Sequence, residues 1–447
     1  MVTDGTAAGT HILKGPASLF FDATKQAVAI GGRLLFIGDD GTGANLHGSE
    51  LWTSDGTAAG TVMLKDINPG DSDSNITFQS LNPPTVVNGT LYFTANDGVH
   101  GVELWKSDGT AAGTTMVKDI NPRSSTSFPS FFPQLTNING TVYFEADDGA
   151  HGVELWKTDG TADGTVMVKD IDPGPNSSSP GALMNVGGTL YFAADDGAHG
   201  DELWKSDGTD AGTVMVEDID PGALNAAPND LTIANGAIAN NVLYFTADDG
   251  IGAGAHGNEL WMTVGTIAGA RMVKDINPGP GNSNPSDLTN DNGLLYFTAF
   301  DGSHGEELWT ATPGSIAGAE MVADINPGSG DSNPSNLTPI NGFVYFTADN
   351  GVNGVELWKS GGNALSTVTV KDIDPGRGAS NPLRPHERRR DALLLRQQWR
   401  HRRRRRPALA IVEVGRDRRR NRDGQGVRLS PPHRPEGGQW GRRILRR

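Results

Sequence analysis

The tripeptide Glu-Leu-Trp occurs seven times in this chain of 447 residues, and it limits the possible folds more than any other feature. Its tryptophans follow one another at intervals of 48 to 57 residues, and every tryptophan before residue 384 belongs to the set. A recurring period of this length is the signature of a repeat architecture. We assign a structural role to these tryptophans, which are Trp52, Trp105, Trp156, Trp204, Trp261, Trp309 and Trp358.

Residues 135–172 show the secondary structure expected of one repeat, LTNINGTVYFEADDGAHGVELWKTDGTADGTVMVKDID. Asn139-Gly140 separates two β-prone runs and accepts the positive φ angles of a two-residue type I′ turn, which predicts a hairpin. The loops DDGAHG and DGTADG then separate two further strands. Each repeat is therefore predicted to be a meander of four antiparallel strands. Equivalent turns are predicted at Asn88-Gly89, Gly187-Gly188, Asn292-Gly293 and Asn341-Gly342.

Apolar residues on both faces of the strands predict how the repeats pack. Leu155 and Trp156 are adjacent in one strand, so they point to opposite sides of the sheet. A sheet of about 50 residues cannot cover both faces alone, so neighbouring repeats must cover them. This favours an all-β fold, a β-propeller of four-stranded antiparallel blades. Seven repeats within residues 27–383 favour a seven-bladed ring, and an eight-bladed ring or a β-solenoid is the alternative.

The N-terminal residues 1–26 are predicted to be a partial repeat. Their sequence TDGTAAGTHILKG corresponds to the last loop and last strand of a unit, without its Glu-Leu-Trp half. We therefore expect this segment to be the outer strand of a truncated blade. A signal peptide, which the sequence does not show, would then lie upstream.

The charge of the chain changes sign near residue 384. Residues 1–383 contain 15 basic and 47 acidic residues, whereas residues 384–447 contain 22 and 6. The strong negative charge of residues 1–383 disfavours nucleic acid and anionic membranes as partners. The chain contains no run of 18 apolar residues, so no membrane span is predicted. It also contains no cysteine, so neither disulfides nor cysteine-bound metals can form.

We interpret the basic tail, residues 384–447, as an out-of-frame translation of an eighth repeat. Permitted codons for residues 387–403, read one nucleotide later, give NGVVTLYFSGNNGVTGV, the missing front half of a repeat. The same shift of residues 412–425 gives WKSDGTAAGTVTVK. As translated here, the arginine-rich tail has few apolar residues and is predicted to be disordered. The alternative is a patch that binds nucleic acid or heparin.

The loops DDGxHG and the long linkers between repeats should share one end of the strands, which is the candidate binding face. That face would present one histidine per repeat, and Asn353 takes its place in the seventh. The residues are either metal or ligand contacts, or turn positions that tolerate left-handed backbone, which would also explain the asparagine. The candidates are His47, His100, His151, His199, His256 and His304.

Pairs of aspartates beside these histidines offer hard oxygen ligands, so calcium is a possible cofactor and no other is expected. Without the spacing of a known calcium loop, Asx turns are the favoured use of these side chains. The glutamate beside each tryptophan recurs in all seven repeats, which indicates a scaffold role, and no catalytic motif accompanies it. The weak calcium candidates are Asp147, Asp148, Asp195, Asp196, Asp248 and Asp249.

The sequence ELWKSDGTAAGT at residues 103–114 resembles the signature of the bacterial ELWxxDGT repeat proteins. The resemblance covers residues 1 to about 383, with departures at WMTVGTIAGA, WTATPGSIAGA and WKSGGNALST. It implies an extracellular or cell-surface bacterial protein whose repeats are modules of no assigned reaction. It supplies no catalytic residues.

Together these features favour a non-enzymatic recognition or scaffold module, a monomeric part of a longer protein that binds an unknown protein or glycan. A secreted propeller hydrolase or lyase that acts on polysaccharide is one alternative, and a purely structural surface spacer is the other. An enzyme would need an irregular group of polar side chains on one face, which these uniform repeats do not suggest.

Overall fold

Seven four-stranded antiparallel sheets, one for each repeat, make up the repeat region. The computed structural model describes residues 27–40, 47–76, 84–122, 126–128, 134–234, 241–250, 254–264, 269–312 and 318–371, and the backbone of residues 382–388, 392–397 and 410–412. Within each sheet the strands lie side by side in chain order. This is the meander of a β-propeller blade, so the predicted fold class is confirmed and a parallel solenoid is excluded.

In the first four blades the second, third and fourth strands have the same lengths, and the first strand has three residues in blades 1 to 3 and six in blade 4. Blade 1 contains β1 (Val28–Ile30), β2 (Arg33–Asp39), β3 (Ser49–Ser54) and β4 (Val62–Lys65). Blade 2 contains β5 (Thr85–Val87), β6 (Thr90–Asn96), β7 (Val102–Ser107) and β8 (Thr115–Lys118). Blade 3 contains β9 (Thr136–Ile138), β10 (Thr141–Asp147), β11 (Val153–Thr158) and β12 (Val166–Lys169). Blade 4 contains β13 (Gly181–Val186), β14 (Thr189–Asp195), β15 (Asp201–Ser206) and β16 (Val214–Glu217).

Blades 5 to 7 have longer first strands than blades 1 to 3. Blade 5 contains β17 (Asn229–Ala234), β18 (Val242–Asp248), β19 (Asn258–Thr263) and β20 (Ala270–Lys274). Blade 6 contains β21 (Ser286–Asp291), β22 (Leu294–Phe300), β23 (Glu306–Ala311) and β24 (Ala319–Ala323). Blade 7 contains β25 (Ser335–Ile340), β26 (Phe343–Asp349), β27 (Val355–Ser360) and β28 (Val368–Lys371), with a short 3₁₀ helix, Ala364–Ser366, before β28.

The two-residue hairpins predicted between the first and second strands are confirmed. In blade 3, Asn139 and Gly140 have φ angles of 52° and 97°, and Ile138 pairs directly with Thr141. Positive φ at both central residues defines a type I′ turn, whose twist matches that of the strands it joins. The same two positive angles occur at the other four predicted turns.

Five of the interfaces between neighbouring blades in the described residues contain a leucine from one Glu-Leu-Trp and the tryptophan of the next. Leu104 of blade 2 and Trp156 of blade 3 belong to one buried cluster, and Leu155 of blade 3 joins Trp204 of blade 4 in another. The adjacent leucine and tryptophan of one strand therefore face opposite neighbours, as their alternation predicts. Because burial of one such side chain stabilises by about 1.5–3 kcal/mol, the repeats depend on one another for stability.

The chain divides into two compact units. The first holds blades 1 to 4 and most of blade 5, and the second holds the rest of blade 5, blades 6 and 7 and the C-terminal strands. Three strands at the start of the predicted basic tail and within it pair in an antiparallel sheet: β29 (Pro382–Arg388), β30 (Ala392–Gln397) and β31 (Ala410–Val412). Disorder was predicted for the whole tail, residues 384–447, whereas these strands are described within it. The remaining residues of the tail lie outside the described residues, as does the predicted partial repeat at 1–26.

Candidate functional site

In blades 1 to 6 the loop between the second and third strands holds one histidine that is paired with an aspartate. The ring Nδ1 lies 2.6–2.8 Å from an aspartate Oδ2 in every case. Seven residues separate the partners in blades 1 and 5 and three in the others, so loops of different length form the same pair. The pairs are His47–Asp40, His100–Asp97, His151–Asp148, His199–Asp196, His256–Asp249 and His304–Asp301.

The same aspartate also holds the backbone of its histidine. In blade 3 the Oδ1 of Asp148 accepts the backbone N–H groups of Ala150 and His151, both at 2.9 Å. One carboxylate therefore closes the turn with one oxygen and orients the imidazole with the other. The histidine side chains are 35–44% exposed, whereas the aspartates are 14–21% exposed.

The interpretation of the histidine as a left-handed turn position is wrong. None of the six histidines has a positive φ, and neither does Asn353. The left-handed residue is the glycine that follows, such as Gly152 with a φ of 69°. Asn353 donates its backbone N–H to the Oδ1 of Asn350 at 2.9 Å, so blade 7 keeps the turn without an imidazole. The turn therefore does not require histidine.

The hydrogen bond to aspartate is the main factor that raises the pKa of the imidazole in five of the pairs, those of His47, His100, His151, His199 and His304. For His151 the side-chain bond to Asp148 is the main factor that raises the pKa of the imidazole. Burial acts to raise the pKa of Asp148, but the hydrogen bonds from His151 outweigh it and hold that pKa below its usual value. With an ionised aspartate on Nδ1, the neutral imidazole carries its lone pair on Nε2, the arrangement found in histidines that bind metals or accept protons.

The aspartate pairs proposed as weak calcium ligands accept hydrogen bonds from their own loops. Asp147 Oδ1 accepts the N–H of Gly149, Asp195 Oδ1 that of Gly197, and Asp248 Oδ1 that of Gly250. Their partners Asp148, Asp196 and Asp249 hold the histidines. In the part of the chain that the structure describes, no three histidine, aspartate or glutamate side chains converge as metal ligands would. These contacts are the Asx turns that the sequence favoured.

The glutamate of each Glu-Leu-Trp is buried, at 0–1% exposure. Glu259, for example, accepts the backbone N–H groups of Ile276 and Asn277 and the hydroxyl of Ser283, at 3.1, 3.3 and 2.6 Å. Burial raises the pKa of Glu259 to about 7 despite these bonds. The glutamate therefore ties its strand to the turn after the fourth strand and to the linker beyond it.

The serines that complete these contacts were not identified from the sequence. Ser127, Ser178, Ser283 and Ser332 donate to the glutamates of their blades at 2.6–2.7 Å. They lie in linkers of variable length that are rich in serine and asparagine. The serine that bonds to the glutamate therefore cannot be told from its neighbours by composition. The only signal is the recurrence of a serine 24 or 25 residues after the glutamate.

The linkers run past the histidine loops, so the two share one end of the strands. The backbone N–H of Ser74 donates to Ser49 O at the start of β3, and Ser74 O accepts the N–H of Asn96 at the end of β6. The DGT loops, between the third and fourth strands, lie at the opposite end. There Asp159 accepts the backbone and hydroxyl of Thr161, and the Thr161 hydroxyl accepts the N–H of Gly164, which indicates a structural role.

The tryptophans belong to the packing between blades. Six are 3–9% exposed and Trp358 is half-buried against the cluster of blades 6 and 7. Lys118 extends over the ring of Trp156 at 5.8 Å from its centre and donates to the carbonyl of Thr165 at 2.8 Å. Rings covered in this way are not available for stacking on a sugar. No helix in the described residues is long and apolar enough to cross a membrane.

No family model and no curated protein sequence matches the chain. Among solved structures it is similar to a prolyl endopeptidase, with a TM-score of 0.38 and 12% identity over 71% of this chain and 46% of that one. It is also similar to the polysaccharide lyase Uly1, with a TM-score of 0.32 and 12% identity over 81% and 94%. A third similar structure is the β-propeller domain of the Trilobed protease from Pyrococcus furiosus, with a TM-score of 0.32 and 9% identity over 80% of this chain and 97% of that one. The chain spans less than half of the prolyl endopeptidase.

Proposed function

We propose that this chain is a non-enzymatic, extracellular or cell-surface module of the ELWxxDGT repeat type, which recognises or scaffolds a protein or glycan partner. The observation that supports it is the repetition of one histidine–aspartate pair in six blades, at the same end of the strands. Catalysis requires a local and asymmetric group of side chains. A set of equivalent contacts suits a ligand that is itself repetitive, because weak contacts then add by avidity.

The chemistry of the imidazoles fits a hydroxylated or amide-bearing ligand. Each ring is held by aspartate on one side and partly exposed, so that Nε2 can accept a hydrogen bond when neutral or donate one when protonated. The pairs also stand in an acidic body, with 47 acidic against 15 basic residues up to residue 383. This charge favours neutral or basic partners over nucleic acid.

A binding experiment tests the proposal. The full chain is applied to a glycan array and used to capture partners in pull-downs, beside the triple variant His100→Ala, His151→Ala, His199→Ala. A matched variant changes exposed alanines of the DGT loops at the opposite end, Ala111→Ser, Ala162→Ser and Ala211→Ser. We expect binding that the histidine variant loses and the matched variant keeps. If neither the full chain nor its variants bind any glycan or protein, a structural spacer would be favoured. Turnover of polysaccharide would favour a hydrolase or lyase.

Calcium dependence, which the aspartate pairs suggested, is tested separately. Because Asp147 and Asp148 already accept backbone hydrogen bonds, we propose that they act as turn residues and need no ion. Chelation of divalent cations should then leave Tm unchanged. A rise in Tm on adding calcium to the chelated protein would contradict this, since a ligand that binds only the folded state stabilises it.

A further inference from the structure

Four Asn-Gly turns in the described residues are alike in sequence and backbone. Asn88, Asn139, Asn292 and Asn341 are all exposed, and their φ angles are 51–54°. Each occupies the first of the two central positions of a type I′ turn, and the glycine with positive φ occupies the second. The dipeptide Asn-Gly is chemically labile, because a glycine offers no side chain to shield its nitrogen from the preceding amide. The four turns therefore allow the rate of one reaction, deamidation of the asparagine, to be compared at four sites in the same protein.

The turns differ in what holds the glycine nitrogen. Gly140 donates its backbone N–H to the Oδ1 of Asn137 at 3.0 Å. Gly293 donates in the same way to Asn290, at 2.8 Å. In the other two turns the position three residues before the glycine holds Val86 or Pro339, neither of which offers a side-chain acceptor.

Exposure divides the turns in the same way. Gly89 and Gly342 are exposed, whereas Gly140 and Gly293 are half-buried. The Nδ2 of Asn292 also donates to Asp291 at 2.7 Å, which fixes that reacting amide as well.

We infer that Asn88 and Asn341 are sites of spontaneous deamidation, and that Asn139 and Asn292 are protected. In this reaction the backbone nitrogen of the glycine loses its proton and attacks the asparagine Cγ. The N–Cγ bond forms, the Cγ–Nδ2 bond breaks, and ammonia leaves with the proton, which gives a cyclic imide. Water then opens either imide carbonyl, so the product is aspartate or isoaspartate.

The hydrogen bond from Gly140 to Asn137 opposes two steps of this reaction. It stabilises the N–H that must be lost, and it directs the nitrogen towards Asn137 and away from the Cγ of Asn139. One such hydrogen bond corresponds to a rate factor on the order of two- to tenfold. At Asn88 and Asn341 deamidation would add a negative charge to the turn between the first two strands of blades 2 and 7. Isoaspartate would also lengthen the backbone there by one atom.

The test is to incubate the folded full chain at mildly alkaline pH and to follow each site by peptide mass spectrometry that separates aspartate from isoaspartate. We expect Asn88 and Asn341 to deamidate about two- to tenfold faster than Asn139 and Asn292. In concentrated guanidinium chloride the four rates should converge, because the dipeptide is the same and the hydrogen bonds are gone. Equal rates in the folded protein would overturn the inference.

Two variants exchange the local environments. Asn137→Ala removes an exposed side chain whose role here is to accept from Gly140, and it should raise the rate at Asn139 towards that at Asn88. Val86→Asn places an acceptor three residues before Gly89 and should slow Asn88. Unchanged rates in both variants, with folding verified by circular dichroism, would show that the hydrogen bond does not protect.

Discussion

Glu154 and Ser178 are joined by two hydrogen bonds although 24 residues separate them in the chain. The serine hydroxyl donates to Oε2 at 2.6 Å and its backbone N–H donates to Oε1 at 3.1 Å. Ser178 belongs to the linker that leads to blade 4, where its carbonyl accepts the N–H of Asp195 at the end of β14. Because Glu154 also accepts the N–H of Ile171, one carboxylate fixes the path of the chain from blade 3 to blade 4.

Ser178→Ala should destabilise the protein by about 1–3 kcal/mol, since a buried carboxylate loses a donor. Blade 4 provides the reverse experiment, because Ala226 occupies there the place of Ser178 and its carbonyl accepts the N–H of Asp248 in the same way. Ala226→Ser should supply the missing donor to Glu202 and stabilise by about 1 kcal/mol. Urea unfolding measures both changes. A loss of stability in both variants would mean that the space around residue 226, and not the missing hydroxyl, determines the outcome.

The pH dependence of stability follows from the buried glutamates. Burial raises the pKa to about 7 for Glu50, Glu103, Glu202, Glu259 and Glu307. The folded state therefore holds these protons more tightly than the unfolded chain, in which glutamate titrates near 4.3. Their contribution is complete below that value and is lost as the pH rises through about 7. We expect Tm to fall from about pH 5 to about pH 8.

The histidine–aspartate pairs act in the same direction over this range. The pKa of His151 is raised by its bond to Asp148, so its contribution is also lost as the pH rises above the usual histidine value. The variant Glu202→Gln separates the two sources, because it removes one titrating carboxylate and leaves every histidine in place. Its plot of Tm against pH should be flatter than that of the unchanged protein, whatever its Tm at a single pH. A slope equal to that of the unchanged protein would contradict the role given to the glutamates.

The sequence predicts the blades well because their determinants are local. Asn139-Gly140 selects a type I′ turn, and the neighbours Leu155 and Trp156 must point to opposite sides, so both features can be read from a few adjacent residues. The contact between Glu154 and Ser178 cannot be predicted in this way, since it joins residues 24 apart through a linker without a regular pattern. The histidines and several of the neighbouring aspartates were identified, but their pairing was not, because the separation changes from three residues in blade 3 to seven in blade 5.

The first strand of blade 4 contains a residue whose backbone does not suit it. Ala182 has a φ of 53°, at a point where the register between β13 and β14 shifts. A left-handed alanine costs about 1–2 kcal/mol, and glycine avoids that cost. Ala182→Gly should therefore raise the free energy of unfolding by about 0.5–1 kcal/mol. Ala198→Gly, at an exposed loop residue without a positive φ, should give no such gain, and equal effects in both variants would contradict the argument.

The strands of the basic tail provide a test of the frameshift hypothesis. Within the second unit, β29 lies against β25, β26 and β27 of blade 7, as the first strand of a following blade would. The pairing of β29 with β30 contains a register shift between Leu383 and His386, comparable with the shift between Ser335 and Thr338 in blade 7. β29 therefore occupies the place where the first strand of a restored repeat would pack.

Removal of one nucleotide near codon 384 should replace the arginines by a repeat that begins NGVVTLYF and continues to WKSDGTAAGT. Because such a repeat brings its own tryptophan and apolar strands, its contact with blade 7 should add about 1.5–3 kcal/mol for each large side chain it buries. We expect the restored chain to have a higher Tm than both the present chain and a chain that ends at residue 383. Limited proteolysis should cut the present tail at its arginines and spare the restored repeat. If the restored chain melted no higher than the shortened one, the tail would not be a displaced eighth blade.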